Sequence, residues 1–222
     1  MSGTITALKA QERSNDRVNV YLDGKFAFGL ALIHALWLKV GQHLSDDEIS
    51  ALQEADTLEK AKSRALGLIA YRPRSVREVQ SRLKRAGVDD KTIGDVVINL
   101  QEAGLLDDTS FSKAWVESRL VASPRSKRMI AWELRKKGVS ENKIDSSLQG
   151  VSDDETAYQL ALKRWPRLAV LQTAGERRRK LGEFLARHGY GYDTIRDVIA
   201  RLEQETGIDT AEADDQSPDE IG

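Results

Sequence analysis

Pro73-Arg74-Ser75-Val76-Arg77 returns almost unchanged 51 residues later as Pro124-Arg125-Ser126-Lys127-Arg128. The spacing is not confined to that string. Leu83, Leu134 and Leu185 keep it, as do Gly87, Gly138 and Gly189, Ile93, Ile144 and Ile195, and Arg77, Arg128 and Arg179. A fixed period of this length marks a repeat architecture. Three copies predict three tandem units stacked in an elongated array, and such arrays present long surfaces that bind large partners.

Each copy reads as three helices. Repeat one predicts helices over 58–71, 76–86 and 90–103, repeat two over 108–121, 127–137 and 141–149, and repeat three over 153–165, 177–188 and 192–204. Ser75 and Glu78 form a capping-box pattern at the start of a second helix. Gly87, Gly138 and Gly189 fall where a second helix must stop. The second helices carry Val79/Leu83, Ile130/Leu134 and Leu181/Leu185 four apart. The third helices carry Ile93/Val97, Ile144/Leu148 and Ile195/Ile199. These are one-sided apolar faces, suited to packing within each unit. Phe111 and Trp115, four apart, read as further core.

The first 45 residues differ. Ile5 to Ala10 has strand character, and Val18 to Leu22 and Lys25 to Phe28 alternate around Asp23-Gly24, a strong hairpin signal. A small antiparallel sheet is expected over residues 4–30, then a short helix over 31–40. Ser45 and Glu48 open a leading helix with a second capping box. The fold class expected is therefore mainly α: three tandem three-helix repeats behind a small β-hairpin or sheet. The expected boundaries are 1–45 for the β-rich segment, 46–105 for repeat one with its leading helix, 106–151 for repeat two and 152–205 for repeat three. Residues 206–222 form an acidic tail.

Composition narrows the function. There is no cysteine, so disulfides and thiolate metal sites are excluded, and three scattered histidines give no metal cluster. No apolar run approaches the ~20 residues of a membrane span. Met1 to Lys9 has no secretory pattern. No phosphate-cradling glycine loop and no nucleophile with a neighbouring base is visible, so neither an enzyme nor a cofactor is expected. The acidic pairs Asp89-Asp90, Asp107-Asp108 and Asp153-Asp154 each precede a helix and read as caps.

The net charge of −1 conceals a segregation. Residues 58–202 hold 29 basic and 19 acidic residues, whereas residues 203–222 hold eight acidic and no basic ones. A basic body favours a polyanionic partner. The tail reads either as a disordered solubilising end or as an internal decoy for the basic body.

Superimposing the copies locates the basic charge. Second-helix windows 75–87, 126–138 and 177–189 have net charges of +3, +4 and +4, against −3, −1 and −1 for third-helix windows 89–103, 140–149 and 191–203. Two positions are basic in every copy: Arg77/Arg128/Arg179 and Arg85/Lys136/Arg187. At about 100° per residue, residue 85 lies about 80° from residue 77, and the apolar pair 79/83 lies roughly 200–240° away. Both positions should face outward and form a positive stripe. Helix C-termini favour cations, which accounts for Arg85 and its equivalents but not for Arg77 and its equivalents. Arg72, Arg74 and Arg125 extend the candidate contact set. Trp132 joins it because its equivalents, Ser81 and Glu183, are polar; it is either a packing residue between repeats or an anchor for a partner. A helix-turn-helix reader would place the third helix in DNA. Here that helix is acidic, which disfavours sequence-specific reading.

These residues resemble the RecX family, regulators of the bacterial recombinase RecA. The resemblance rests on Ala65-Leu66-Gly67-Leu68-Ile69-Ala70-Tyr71-Arg72 through Ser75, Glu78 and Leu83, and on Gly104-Leu105-Leu106-Asp107-Asp108 with Phe111, Ala114-Trp115-Val116 and Arg119. Glu133-Leu134-Arg135-Lys136-Lys137-Gly138-Val139 and Phe184-Leu185-Ala186-Arg187-His188-Gly189-Tyr190 complete it. It covers about residues 58–204, and the amino-terminal hairpin resembles extensions of some members. Repeat three departs where the family tends toward Arg-Arg-Gly-Phe, and the acidic tail is not part of the pattern. The resemblance implies binding in the groove of the RecA–DNA filament, with inhibition of ATP hydrolysis and strand exchange. It also implies a cytoplasmic role in recombination, DNA repair and the SOS response. A monomer contacting RecA, and single- or double-stranded DNA, is the expectation. A RecA-independent nucleic-acid-binding repeat protein and a scaffold for another acidic protein are the alternatives.

Overall fold

In the computed structural model, residues 2–206 are described except Arg13, Ala169, Leu171 and Gln172. The acidic stretch 207–222 lies outside the described residues. The chain divides between Asp107 and Asp108 into two compact units.

The first unit opens with strands β1 (Gly3–Gln11), β2 (Ser14–Leu22) and β3 (Lys25–Ala31). The Asp23-Gly24 turn joins β2 to β3, with Leu22 facing Lys25. Both turn residues have positive φ, 48° and 80°, the backbone that a two-residue hairpin of matching twist requires. A fourth strand, β4 (His43–Leu44), pairs with the start of β1, giving the order β3-β2-β1-β4. One face of the sheet buries Ile5, Val18, Val20, Phe28 and Leu30 with Ala35, Leu44 and Ile49.

The helix expected over 31–40 is only one turn, α1 (Leu32–Ala35). The spacing of Ile33, Leu36, Trp37 and Val40 suggests a continuing helix, yet all four are exposed. Pairing with β1 prevails instead. Gly41 N–H donates to the Ile5 carbonyl and Ile5 N–H to the Gln42 carbonyl, both at 2.8 Å. The chain must leave the helix axis to reach them.

Helix α2 (Asp46–Tyr71) is continuous, joining the leading helix and the first helix of repeat one. Ser45 and Glu48 form the expected capping box. Its first half is fastened to the sheet through buried Asp56. That carboxylate accepts from Ala31 N–H at 2.8 Å, from Arg17 at 3.0 Å and from Lys60 at 2.8 Å. Burial opposes ionisation of Asp56, but Arg17 and Lys60 outweigh it and hold the pKa below the usual carboxylate range. The second half packs Ala61 and Ala65 against α3 (Val76–Arg85) and α4 (Asp90–Glu102), which supply Val79, Leu83, Ile93, Val96, Val97 and Leu100.

The second unit holds repeat two, α5 (Asp108–Ala122), α6 (Lys127–Lys136) and α7 (Glu141–Ser147). Repeat three is α8 (Asp153–Leu168), α9 (Ala174–Arg187) and α10 (Tyr192–Thr206). Phe111, Ile130, Leu134, Ile144 and Leu148 are buried in one core, and Trp165, Leu181, Leu185, Val198 and Leu202 in the other. Two details differ from expectation. Helix α8 runs through Pro166 to Leu168, where buried Trp165 and Leu168 hold the last turn in the core. In α10 the buried pair is Val198/Leu202, with Ile195 and Ile199 only partly covered beside it.

All three second helices end alike. Val88 N–H reaches back to the Leu83 carbonyl, and Val139 and Tyr190 do the same to Leu134 and Leu185. This six-to-one closure requires a left-handed residue just before it, and that residue is the repeated glycine.

Gly189 carries a second demand, because it sits at the joint between repeats two and three. Ser126 N–H donates to the His188 carbonyl at 3.0 Å, and an Arg128 guanidinium nitrogen to the Gly189 carbonyl at 3.3 Å. Lys127 N–H, at the start of α6, donates to Asp153 Oδ1 at 2.7 Å. This corrects the expectation that each acidic pair caps its own helix. Asp89 does cap α4, accepting from Thr92 N–H at 2.9 Å, but Ser152 caps α8 and Asp153 serves the neighbouring repeat.

A methyl group on Gly189 would lie 2.6 Å from Ser126 Oγ and 2.9 Å from Met129 Cβ, at a φ of +92°. Gly189→Ala is therefore expected to destabilise the second unit by about 2–4 kcal/mol, combining left-handed strain with overpacking. Gly87→Ala, where φ is +81° and a Cβ meets nothing within 4 Å, should cost only about 1–2 kcal/mol. Denaturant titration of both variants checks the difference.

Candidate partner-binding surface

The N-caps Ser75 and Ser126 are buried. Each accepts a backbone N–H at 3.2 Å, from Glu78 and Met129 respectively. That fixes the rotation of α3 and α6. With Val79/Leu83 and Ile130/Leu134 turned inward, the recurrent basic positions must point out, and they do. Arg77, Arg85, Arg128, Lys136, Arg179 and Arg187 are all exposed.

Their surroundings are not equal. Arg77, Arg85 and Arg187 carry no hydrogen bond or ion pair among the described residues. Arg179 pairs with Glu183 one turn along at 2.8 Å, and Arg128 is engaged at the joint. The Lys136 Nζ sits 3.7 Å from the centroid of the Trp132 ring. Trp132 itself is 49% exposed, so a broad indole face with a cation on it projects from α6. A cation so placed is attracted by the ring's negative face.

The remaining candidates turn back into their own repeats. Arg72 holds Glu78 at 2.9 Å, Arg74 Nε donates to the Leu68 carbonyl at 3.4 Å, and Arg125 pairs with Glu133. The repeated Pro-Arg-Ser string thus builds helix starts, and only the arginine two residues beyond the serine faces outward. Part of the basic surplus is also neutralised locally. Lys84 pairs with Asp90 at 2.9 Å and Arg135, its equivalent, with Glu141 at 2.6 Å.

Within the second unit the joint brings basic groups of two repeats together. Since the end of α9 meets the start of α6, Arg187 precedes the junction and Arg128 follows it.

Beneath α6 lies a cluster that periodicity does not reveal. Glu133 is buried. It accepts from Arg119 Nε at 2.7 Å, from Trp115 Nε1 at 2.8 Å and from Arg125. Burial opposes its charge, but hydrogen bonds from Arg119 and Trp115 and the two guanidinium charges prevail, so its pKa is lowered. Arg119 and Lys137 each lie 4.2 Å from the centroid of Trp115. The expected core residue Trp115 is partly buried: it packs against the core of repeat two and the Phe111 ring while also meeting these charged groups, and Phe111 is fully buried. The cluster holds α5, α6 and the segment between them in one geometry, and so sets the direction in which Trp132 and Lys136 project.

Among the described residues no group of acids and histidines could hold a metal ion, and no helix is long and apolar enough to cross a membrane.

Comparison with known proteins follows the same division of the chain. Residues 3–45 match the regulatory protein RecX N-terminal domain, and residues 61–100, 107–148 and 152–199 match the first, second and third RecX three-helix domains. The amino-terminal sheet therefore lies inside the family pattern rather than beside it. Regulatory protein RecX of Clostridium tetani is 32% identical over 206 residues, covering 89% of this chain and 94% of that protein. That of Clostridium botulinum is 31% identical over 201 residues, covering 88% and 94%. That of Bacillus subtilis is 29% identical over 214 residues, covering 93% and 80%. A crystal structure of regulatory protein RecX superposes with a TM-score of 0.69 at 27% identity, covering 88% of this chain and 98% of that one. The RecX of Lactobacillus salivarius shares the fold, with a TM-score of 0.60 at 24% identity over 68% of this chain and 99% of that one. With its sheet and all three helical units matched in order, the chain belongs to the RecX family of regulatory proteins.

Proposed function

We propose that this protein binds in the groove of the RecA–DNA filament and lowers RecA's ATP hydrolysis and strand exchange. It acts as a cytoplasmic, non-enzymatic monomer in recombination and DNA repair. The observation that carries this reading is the outward-facing basic pair at equivalent positions of α3, α6 and α9, in a chain of a regulatory family. Arg77, Arg85, Arg128, Lys136, Arg179 and Arg187 are the proposed contacts, with Trp132 as an aromatic anchor. Long basic side chains at equivalent positions of successive sequence repeats suit a partner that itself repeats and carries phosphate or carboxylate charge.

The acidic α4, α7 and α10 favour a composite protein–DNA partner over bare duplex, because each places carboxylates beside the basic helix of its repeat. The test is a titration of RecA's DNA-dependent ATP hydrolysis. Inhibition is expected at substoichiometric amounts, since a groove ligand bridges successive protomers. No effect across a wide titration would sink the proposal. Tight, salt-steep binding to DNA alone, without any effect on RecA, would replace it with RecA-independent nucleic-acid binding.

A further inference from the structure

Helix α6 presents an outward face unlike those of its counterparts. Its exposed residues are Lys127, Arg128, Trp132, Arg135 and Lys136. One indole stands among four cations, and the helix's own carboxylate, Glu133, is buried. Glu141, from the start of α7, is held by Arg135 at 2.6 Å. Arg128, Trp132 and Lys136 are four apart, so each step advances about 6 Å and turns about 40°, and all three share one side of the helix. The same positions read Arg77, Ser81 and Arg85 on α3, and Arg179, Glu183 and Arg187 on α9. Between the two cations, then, α3 carries a hydroxyl and α6 an indole. In α9 the place is taken by a carboxylate that pairs with Arg179.

An aromatic anchor for a protein partner sits among contacts that exclude water. Trp132 has hydrated cations before and after it instead. That arrangement suits a single nucleic-acid strand, whose base stacks on the ring while its phosphates meet the cations. A duplex cannot use it, because its base faces are covered by the neighbouring pairs. Lys136 Nζ, 3.7 Å from the ring centroid, covers one face of the indole only. A base can also displace it, since an exposed cation on a ring contributes less than a stacked base. The displaced ammonium remains one turn from the ring, in reach of a phosphate. Arg128 gives one nitrogen to the Gly189 carbonyl at 3.3 Å, and a guanidinium has further donors for a phosphate.

We propose that Trp132, between Arg128 and Lys136, is a stacking platform for one unpaired base, and that α6 is where this chain distinguishes single-stranded from duplex DNA. This rests on the reading of the basic helices as the surface for the RecA–DNA filament, and it assigns α6 to the strand rather than to the protein of that filament.

The test compares a fluorescent oligothymidylate, an abasic strand of equal length and a duplex, each binding the full chain at low ionic strength, where phosphate contacts are strong. Trp132→Ala should bind oligothymidylate about ten-fold more weakly than the native chain, and the abasic strand and duplex as the native chain does. Trp132→Phe, which keeps a ring, should recover most of the loss. Trp132 is exposed, so both variants should keep the native denaturant midpoint. Equal affinity of the native and Trp132→Ala chains for oligothymidylate, or no binding by either, overturns the proposal. An equal loss on all three probes also overturns it, because Trp132 would then only support Lys136. Loss of RecA inhibition with strand affinity unchanged would make Trp132 a protein anchor and overturn it as well. The strand measurement contains no RecA, so base stacking and filament inhibition can fail separately.

Discussion

Replacing Glu133 with Ala is expected to lower the stability of the second unit by about 2–3 kcal/mol. Breaking a buried charge cluster by deleting one partner costs about 3–5 kcal/mol where the remaining charges stay dry. Here Arg119 and Arg125 keep 26% and 33% side-chain exposure, so water relieves part of that loss. The variant strands two guanidinium groups and the Trp115 N–H at once and leaves a void under α6. Glu133→Gln keeps an acceptor for Trp115 and should cost about half as much. Trp115 fluorescence during denaturant unfolding checks both, and an unchanged midpoint in Glu133→Ala would show that the cluster holds nothing together.

The same carboxylate gives the stability a pH dependence of known sign. Its pKa is lowered in the folded state, so the unfolded chain binds the proton more readily. The contribution is complete above the unfolded value of about 4.3 and disappears as pH falls through the lower folded value. Asp56 behaves in the same direction in the first unit. Acid unfolding of Glu133→Gln should accordingly show a shallower loss of stability in that window than the native chain.

The second large effect concerns binding. Arg77/Arg85/Lys136/Arg187→Glu is expected to weaken filament binding by roughly a hundred-fold, taking about 0.7 kcal/mol per reversed charge and 1.4 kcal/mol per decade. The choice of residues follows from the structure. Arg128→Glu would also disturb the bond to the Gly189 carbonyl, and Arg179→Glu would face Glu183. Either would mix folding with binding, whereas Arg77, Arg85 and Arg187 carry no ion pair among the described residues and Lys136 lies over the exposed Trp132 ring. Circular dichroism and the denaturant midpoint should therefore stay near native while inhibition of RecA is lost. Retained inhibition would move the contact surface elsewhere.

The 51-residue period makes the second helices comparable, and the comparison finds what repeats: buried leucines, the glycine stops and the outward cations. It is silent on what occurs once. Glu133 corresponds to Arg82 and Phe184, so no repeated signal marks it, and its basic neighbours make it resemble surface. Helical geometry does carry a hint, since at about 100° per residue Glu133 falls within about 60° of buried Ile130. Asp153 was legible as a helix-start acid but not as a donor's partner across the joint, because that depends on how two repeats meet. Strand β4 spans two residues, too few for alternation to show. The one-turn α1 fails for the opposite reason: its apolar spacing is helical, and backbone pairing with β1 overrides it.

Co-sedimentation with preassembled RecA–DNA filaments, with DNA alone as the control, tests the central claim most directly. The native chain should pellet with filaments and little with DNA, and the Arg77/Arg85/Lys136/Arg187→Glu chain should remain in the supernatant. Equal pelleting of both chains with filaments, or pelleting of the native chain with DNA alone to the same extent, would contradict the account.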